Sequence, residues 1–343
     1  MARSNIRPVD LVVRGQLRIY CRPTLKEKKN PGKKGNPMKR LTATALVAGM
    51  MCAGIVADSN IRPAHAADTK DDQSVLQADH DLVAALGKAD KSASTRFLDV
   101  DFMWTNSAGA TLSRAKVLGD LPKPPLGGET GIQVTEYTYG QVGEVRVARG
   151  KMHILRVWVK RPEGWRILHY HEVALAEHAG ASALSANDCE NPCKDLPYPP
   201  KDEAEKGIRA SWAGLELALT DHDTKAWSPH FPEEYLMATS GATGPITKKD
   251  RIATISKPGS GRVTLCRPLW AAGKLCESQM AAVPPARFFH FGDTVVIISR
   301  NKPYIGKPEL STRIWHLDHE GIWQMMESWD TEILSAAAVV PKP

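Results

Sequence analysis

Two stretches of the chain place apolar residues at helical spacing. Over 75–90 these are Val75, Leu76, Leu82, Val83 and Leu86, with alanines between; over 208–223 they are Ile208, Trp212, Leu215, Leu217 and Leu219. Recurrence at every third or fourth position predicts an amphipathic helix. Each helix leads through a short amphipathic segment into an aromatic-containing strand, Phe97 to Thr105 and Phe231 to Thr239. Turn-forming runs follow, Asn106-Ser107-Ala108-Gly109 and Ser240-Gly241-Ala242-Thr243-Gly244. A further short helix is predicted to start at Ser113 and at Thr247, hydroxyl residues suited to accept the first free backbone N–H groups. Both stretches end alike. Arg156-Val157-Trp158 runs through Pro162-Glu163-Gly164 into Trp165, and Arg313-Ile314-Trp315 through His319-Glu320-Gly321 into Trp323. A strand, a charged turn closed by glycine and a Trp-led strand predict a β-hairpin, with one more residue in the second turn.

One matching hairpin could arise by chance; helix, strand, helix and hairpin in the same order read as one unit written twice. The copies span 67–178 and 205–335, with a tail at 336–343. Between them, 179–204 is rich in Ala, Ser, Asp, Lys and Pro (Pro192, Pro197, Pro199, Pro200) and reads as a linker. Gly/Pro-rich segments at 119–131 and 256–286 are predicted loops within the copies, the second too long to go unanchored.

Charge changes the picture. The 343-residue chain carries a formal +7. Residues 1–66 hold 13 Lys/Arg against 3 Asp/Glu, which leaves 32 basic and 35 acidic residues for 67–343, a net −3. The folded part has no positive excess to attract phosphate, so no nucleic-acid partner is expected. The basic leader reads as an export signal. Met38-Lys39-Arg40 precedes an apolar run from Leu41 to Val56, and Ala64-His65-Ala66 fits an A-x-A cleavage site. Residues 38–66 are therefore a predicted signal peptide cut after Ala66, giving a periplasmic or secreted protein free of the membrane once processed; an uncleaved anchor is the alternative. Met51 stands before Cys52 where a lipoprotein signal needs a small residue. Residues 1–37 are polar, with Lys26, Lys28, Lys29, Lys33 and Lys34 among Pro and Gly, and are expected to be disordered, consistent with a start placed too early.

Outside the leader lie Cys189, Cys193, Cys266 and Cys276. An even number in an oxidising compartment favours disulfides. Of three possible pairings, closure of short loops favours Cys189–Cys193 with Cys266–Cys276. Neither spacing is the C-x-x-C of a zinc site.

The pattern resembles the nuclear transport factor 2-like superfamily, in particular its SnoaL-like, domain-of-unknown-function 4440 branch, and also the association domain of calcium/calmodulin-dependent protein kinase II. Its carriers are Val83-Ala84-Ala85-Leu86 with Asp90, Phe97, Arg156-Val157-Trp158, Gly164-Trp165 and His169-Tyr170-His171. In the second copy they are Ala218-Leu219 with Asp223, Phe231, Arg313-Ile314-Trp315, Gly321 and Trp323. The resemblance implies an α+β fold of two cone-shaped domains, each a strongly curved, mostly antiparallel sheet wrapped around N-terminal helices. It implies a pocket inside each cone and an internal pseudo-dimer packed sheet to sheet, with a homodimer as a further arrangement.

The resemblance is nearly silent on function. Ketosteroid isomerase, in this superfamily, uses a carboxylate base and a helix tyrosine. The base position falls on Thr105 and Thr239 here, and the tyrosine position on Leu82 and Leu215. A hydroxyl does not take a proton from carbon without a neighbouring base, so that chemistry is disfavoured. Strand alternation would put Trp165, Ile167, His169 and His171 on one face and Arg166, Leu168, Tyr170 and Glu172 on the other. By resemblance to the kinase domain, Arg156 would face the pocket beside Tyr170 and Glu172, and Arg313 beside Asp330. Such an arginine holds a carboxylate ligand or is satisfied by its own ion pair. His169 and His171, with His153, could be a metal or acid–base site, but a sheet or interface role is favoured, and Asp221-His222-Asp223 reads as capping. Trp104 and Trp315 are pocket-wall candidates among tryptophans that are mainly core, and Tyr137 is a further pocket candidate. The expectation is a binding or scaffolding protein for an unknown small molecule, with no metal, cofactor or catalytic residue assigned. The alternatives are a SnoaL-like enzyme acting on a small hydrophobic or carbonyl-bearing molecule through His153, His169 or Tyr137, and a purely assembly role.

Overall fold

The structure, a computed structural model, describes residues 69–122, 129–133, 138–147, 150–175, 191–240, 242–257, 275–301 and 308–334. The leader and its cleavage site, Tyr137, Cys189, Cys266 and the tail lie outside the described residues. All described residues belong to one compact unit, Asn60–Pro343.

The first half contains helices α1 (Thr69–Gly87), α2 (Lys91–Phe97) and α3 (Arg114–Gly119), with strands β1 (Leu98–Thr105), β2 (Thr111–Ser113), β3 (Glu129–Gln133), β4 (Thr138–Val147), β5 (Gly150–Arg161) and β6 (Gly164–Leu175). The second repeats the order: α4 (Glu203–Thr220), α5 (Thr224–Trp227), β7 (Leu236–Thr239), β8 (Ile246–Thr247), α6 (Lys248–Ile255), β9 (Val283–Phe291), β10 (Thr294–Asn301), β11 (Glu309–Leu317) and β12 (Trp323–Glu332). Two six-stranded mixed sheets result, ordered β2-β1-β6-β5-β4-β3 and β8-β7-β12-β11-β10-β9. β1 runs parallel to β6, and β7 to β12; the other pairings are antiparallel. The fold is α+β.

Local chemistry sets the element ends. Ser113 accepts the Lys116 N–H, and Thr247 forms a reciprocal capping box with Asp250. Asp90 and Asp223 cap α2 and α5 in the same way. α4 starts five residues before the first apolar position read from sequence, because Asp202 accepts the Glu205 N–H and fixes the first turn there. Gly164 and Gly321 close the two hairpins at φ of +107° and +82°, backbone that favours glycine. The segment read as a loop over 256–286 ends instead in β9, whose first residues pair with β10.

Three cores form among the described residues. Leu82, Phe102, Trp158 and Ile167 pack between the helices and sheet of the first half. Ile208, Trp212, Trp227, Val295 and Trp315 do so in the second. The third belongs to both sheets: Leu155, Val157 and Leu168 meet Val296, Ile298, Ile314 and Trp329. Trp158 and Trp315 occupy matching places in the first two cores, each fully buried. At about 25 cal/mol per Å², burying an indole stabilises by roughly 4–6 kcal/mol before ordering costs.

Strict strand alternation fails in β6. Val157 pairs with His169 but Trp158 pairs with Ile167, so Leu168 is the extra residue of a β-bulge. Trp165 and Ile167 therefore share the helix side with Tyr170, while Leu168 joins the inter-sheet core. β12 repeats the bulge at Met326, with Ile314 opposite Glu327 and Trp315 opposite Met325.

The disulfide also differs from the local pairing expected. Cys193 bonds to Cys276, 83 residues apart, with Cα atoms at 5.5 Å. Short 3₁₀ turns at Pro192–Lys194 and Glu277–Met280 pack together, Ser278 donating to the Pro192 carbonyl, and the Tyr198 N–H reaches the Ala282 carbonyl at 2.8 Å. Loop-closure entropy rises only slowly with length, so this packing outweighs the preference for a short loop.

Candidate functional site

The interior between helices and sheet centres on one arginine in each half. Arg156 pairs with Asp79 of α1, Nε to Oδ1 at 2.6 Å and Nη2 to Oδ2 at 2.8 Å. The Trp158 indole donates to the same Oδ1 at 2.8 Å. The arginine is 3 % exposed and the aspartate not at all. One carboxylate thus satisfies a guanidinium and an indole together. Asp79 comes to this place because it lies on the buried face of α1 with Val75, Leu82 and Leu86.

Glu172, expected beside Arg156, is held elsewhere. Its oxygens accept the Trp104 indole and the Ser107 N–H, both at 3.1 Å, and burial pushes its carboxyl above the usual range against those donors. Trp104 stacks on Tyr170 with ring centres 3.8 Å apart. Tyr170 lies close to Arg156, as expected, and burial raises its phenol far beyond the ordinary value. The charged groups of this interior are matched, Arg156 by Asp79 and Glu172 by Trp104 and Ser107, while the buried Tyr170 hydroxyl has no hydrogen-bond partner among the described residues.

The second half keeps the arginine and lacks the helix aspartate. Aligning the two helices sets Trp212 opposite Asp79. Arg313 stands over the Trp212 ring, 4.5 Å from guanidinium carbon to ring centre. Its Nη2 donates to Asp330 at 3.1 Å, the neighbour expected from sequence, and Asp330 also accepts from Ser311 and Ser328. Arg313 Nη1 is buried and meets no hydrogen-bond acceptor among the described residues. The same holds for Trp315 Nε1, the counterpart of Trp158 Nε1. Leaving a buried donor unmatched costs about 1–3 kcal/mol. Tyr235 and Glu309 stand near this centre; burial pushes the tyrosine phenol up and holds the Glu309 carboxyl well above its usual range, with Asp330 adding to both.

A shallow cleft, partly open to solvent, lies against the same helix. Tyr198, Ile208, Trp212, Phe288 and Ile297 line it, with Glu205 and Arg209 as its charged groups. Trp212 is common to the cleft and to Arg313, and Ile297 of the cleft is the cross-strand partner of Arg313. None of the sequence-predicted pocket residues that are described lines this cleft directly.

The histidines lie on the opposite sheet face. His169 Nε2 is 3.0 Å from Thr105 Oγ1, and His171 bonds Thr312 at 2.7 Å and Thr331 at 3.0 Å, residues of the second sheet. Thr331 donates its proton to the Glu172 carbonyl, so it accepts from His171 Nε2–H, and Thr312 donates to Nδ1. Burial lowers both imidazoles, His171 to about 3. His153 is buried near Trp329, at 6.3 Å between rings. The three do not converge on one metal position. Thr105 has a base beside it, but His169 and Thr105 are fully buried on the inter-sheet side, away from the helix-side interior. His222 bonds the Ile255 carbonyl and Asp223 caps α5, which accounts for Asp221-His222-Asp223 without a ligand.

The sequence matches no family model and no curated protein. Solved structures similar to parts of it are of nuclear transport factor 2-like and kinase association-domain type. One is a nuclear transport factor 2-like superfamily protein from Salmonella enterica, 14 % identical, covering 34 % of this chain and 99 % of its own, at a TM-score of 0.27. The association domain of C. elegans CaMKII is 16 % identical over 31 % of this chain and 97 % of its own, at 0.24. A protein of unknown function from Pectobacterium atrosepticum, of the domain-of-unknown-function 3225 family, is 19 % identical over 31 % and 91 %, at 0.28.

Proposed function

We propose that this is an exported, non-catalytic binding protein built as a sheet-to-sheet pseudo-dimer of two cone-shaped domains, of which only the second takes a ligand. The observation that carries the reading is the exchange of Asp79 for Trp212. In the first half one carboxylate meets both the arginine and the tryptophan of the R-x-W strand. In the second half the equivalent donors, Arg313 Nη1 and Trp315 Nε1, stay buried and unmet among the described residues. A small molecule bringing a carboxylate or carbonyl oxygen would supply the acceptor that Asp79 supplies in the first half. Its apolar part would lie along the cleft walls formed by Ile208, Trp212, Phe288 and Ile297. The first domain, sealed by its own ion pair, serves as scaffold.

Tryptophan fluorescence tests this with benzoate as probe and benzene of similar shape as control. The expected result is a saturable change with benzoate alone, lost in Arg313→Gln. An equal response in Arg313→Gln removes the reading.

A further inference from the structure

The first turn of α4 and the end of β9 bring three ligand-type side chains together beside the cleft: Asp202, Glu205 and His290. Asp202 Oδ1 accepts the Glu205 N–H at 2.8 Å, and Glu205 Oε2 accepts the Lys201 N–H at 2.7 Å. Each carboxylate thus uses one oxygen on backbone, which fixes its orientation, and turns the other toward the imidazole. Glu205 Oε1 lies 3.3 Å from His290 Nε2, and Asp202 Oδ2 lies 3.7 Å from it. The three atoms are all within 4.8 Å of one another.

A neutral imidazole has one N–H and cannot satisfy two carboxylates from one nitrogen. Glu205 makes the shortfall costly, since it is only 4 % exposed and its Oε1 has no partner but His290 among the described residues. A buried carboxylate needs a cation or a full set of donors. The nearby Lys201 ammonium is turned onto the Tyr198 ring, 5.2 Å from its centre.

We propose that Asp202 Oδ2, Glu205 Oε1 and His290 Nε2 form a three-ligand site for a divalent transition cation of the zinc class, its remaining coordination left to water. With metal–ligand bonds of about 2.1 Å, tetrahedral ligands stand about 3.4 Å apart. The two edges at His290, 3.3 and 3.7 Å, are near that length. The third, from Asp202 Oδ2 to Glu205 Oε1, is no longer than 4.8 Å. One imidazole and two carboxylates suit Zn²⁺ better than Mg²⁺ or Ca²⁺, which prefer all-oxygen shells. The backbone bonds to the spare oxygens orient the ligands. A bound cation would tie the N-terminus of α4 to β9 at the wall of the cleft, and this reading stands whether or not Arg313 binds anything.

The test is calorimetric titration of ZnCl₂ into the untagged, chelator-treated full chain at neutral pH, for wild type, His290→Gln and Asp202→Asn. His290 is at the surface, so His290→Gln should leave the far-ultraviolet circular dichroism unchanged. One zinc equivalent is expected in wild type, weakened at least tenfold in both variants, with a zinc-dependent rise in Tm that His290→Gln abolishes. Absence of zinc binding in wild type, or equal stoichiometry and affinity in His290→Gln, would overturn the site and leave an ordinary His–carboxylate ion pair.

Discussion

At the scale of single residues, the consequential fact is that one aspartate serves two donors in one half and is absent from the other. Arg156, Trp158 and the R-x-W repeat were legible as sequence, but Asp79 was not singled out. Its signal was present: it stands four residues after Val75 and three before Leu82, on the apolar face of its own helix. A charge on a buried face calls for a partner, and Arg156 on β5 is that partner. Removing Arg156 leaves Asp79 charged and enclosed, a loss of about 3–5 kcal/mol by comparison with other broken buried pairs. Urea unfolding of Arg156→Ala should show a drop of that order, whereas Arg313→Ala, whose aspartate keeps Ser311 and Ser328 as donors, should cost less. Equal losses would contradict the difference between the two interiors.

At the scale of elements, helices, caps and hairpins followed from periodicity and turn chemistry, because they depend on neighbours in sequence. The face of β6 did not. The bulge at Leu168 is set by the pairing of Trp158 with Ile167, a tertiary choice that leaves no mark on a run of alternating residues. The same limit applies to cysteine pairing: proximity in sequence suggested Cys189 with Cys193, whereas packing of the 192–194 and 277–280 turns brings Cys193 to Cys276. Peptide mapping under non-reducing conditions should recover that cross-link. Its loss in Cys193→Ser should lower stability by about 2–5 kcal/mol, the range for removing a native disulfide. A Cys189–Cys193 peptide instead would contradict the packing of the linker against β9.

At the scale of the whole molecule, the duplicated layout predicted two sheets of one topology, and the topology is the same strand for strand. What the sequence left open was what lies between them. The shared core buries titratable groups of opposite tendency, His169 and His171 from the first sheet and Glu327 from the second. Burial pushes the Glu327 carboxyl up to about 8, the Trp329 indole beside it opposing only in part. A carboxyl raised in the folded state contributes stability that is complete below its unfolded value near 4.5 and is lost as pH rises through about 8. His171 has the opposite sign. Held near 3 when folded, it must stay neutral, so stability is complete above about 6.5 and declines as pH falls toward 3. Unfolding midpoints across pH should therefore rise on the alkaline side in Glu327→Gln, with no gain at pH 4, and His171→Gln should flatten the acid limb. A Glu327→Gln profile parallel to wild type would show that the carboxylate is solvated or paired after all.

The proposed ligand binding by the second interior alone is tested most directly by counting. Native mass spectrometry of the chain isolated from the cells that make it should show at most one small-molecule adduct per chain, absent from Arg313→Gln prepared in the same way. Two adducts per chain, or one that survives Arg313→Gln, would contradict the account.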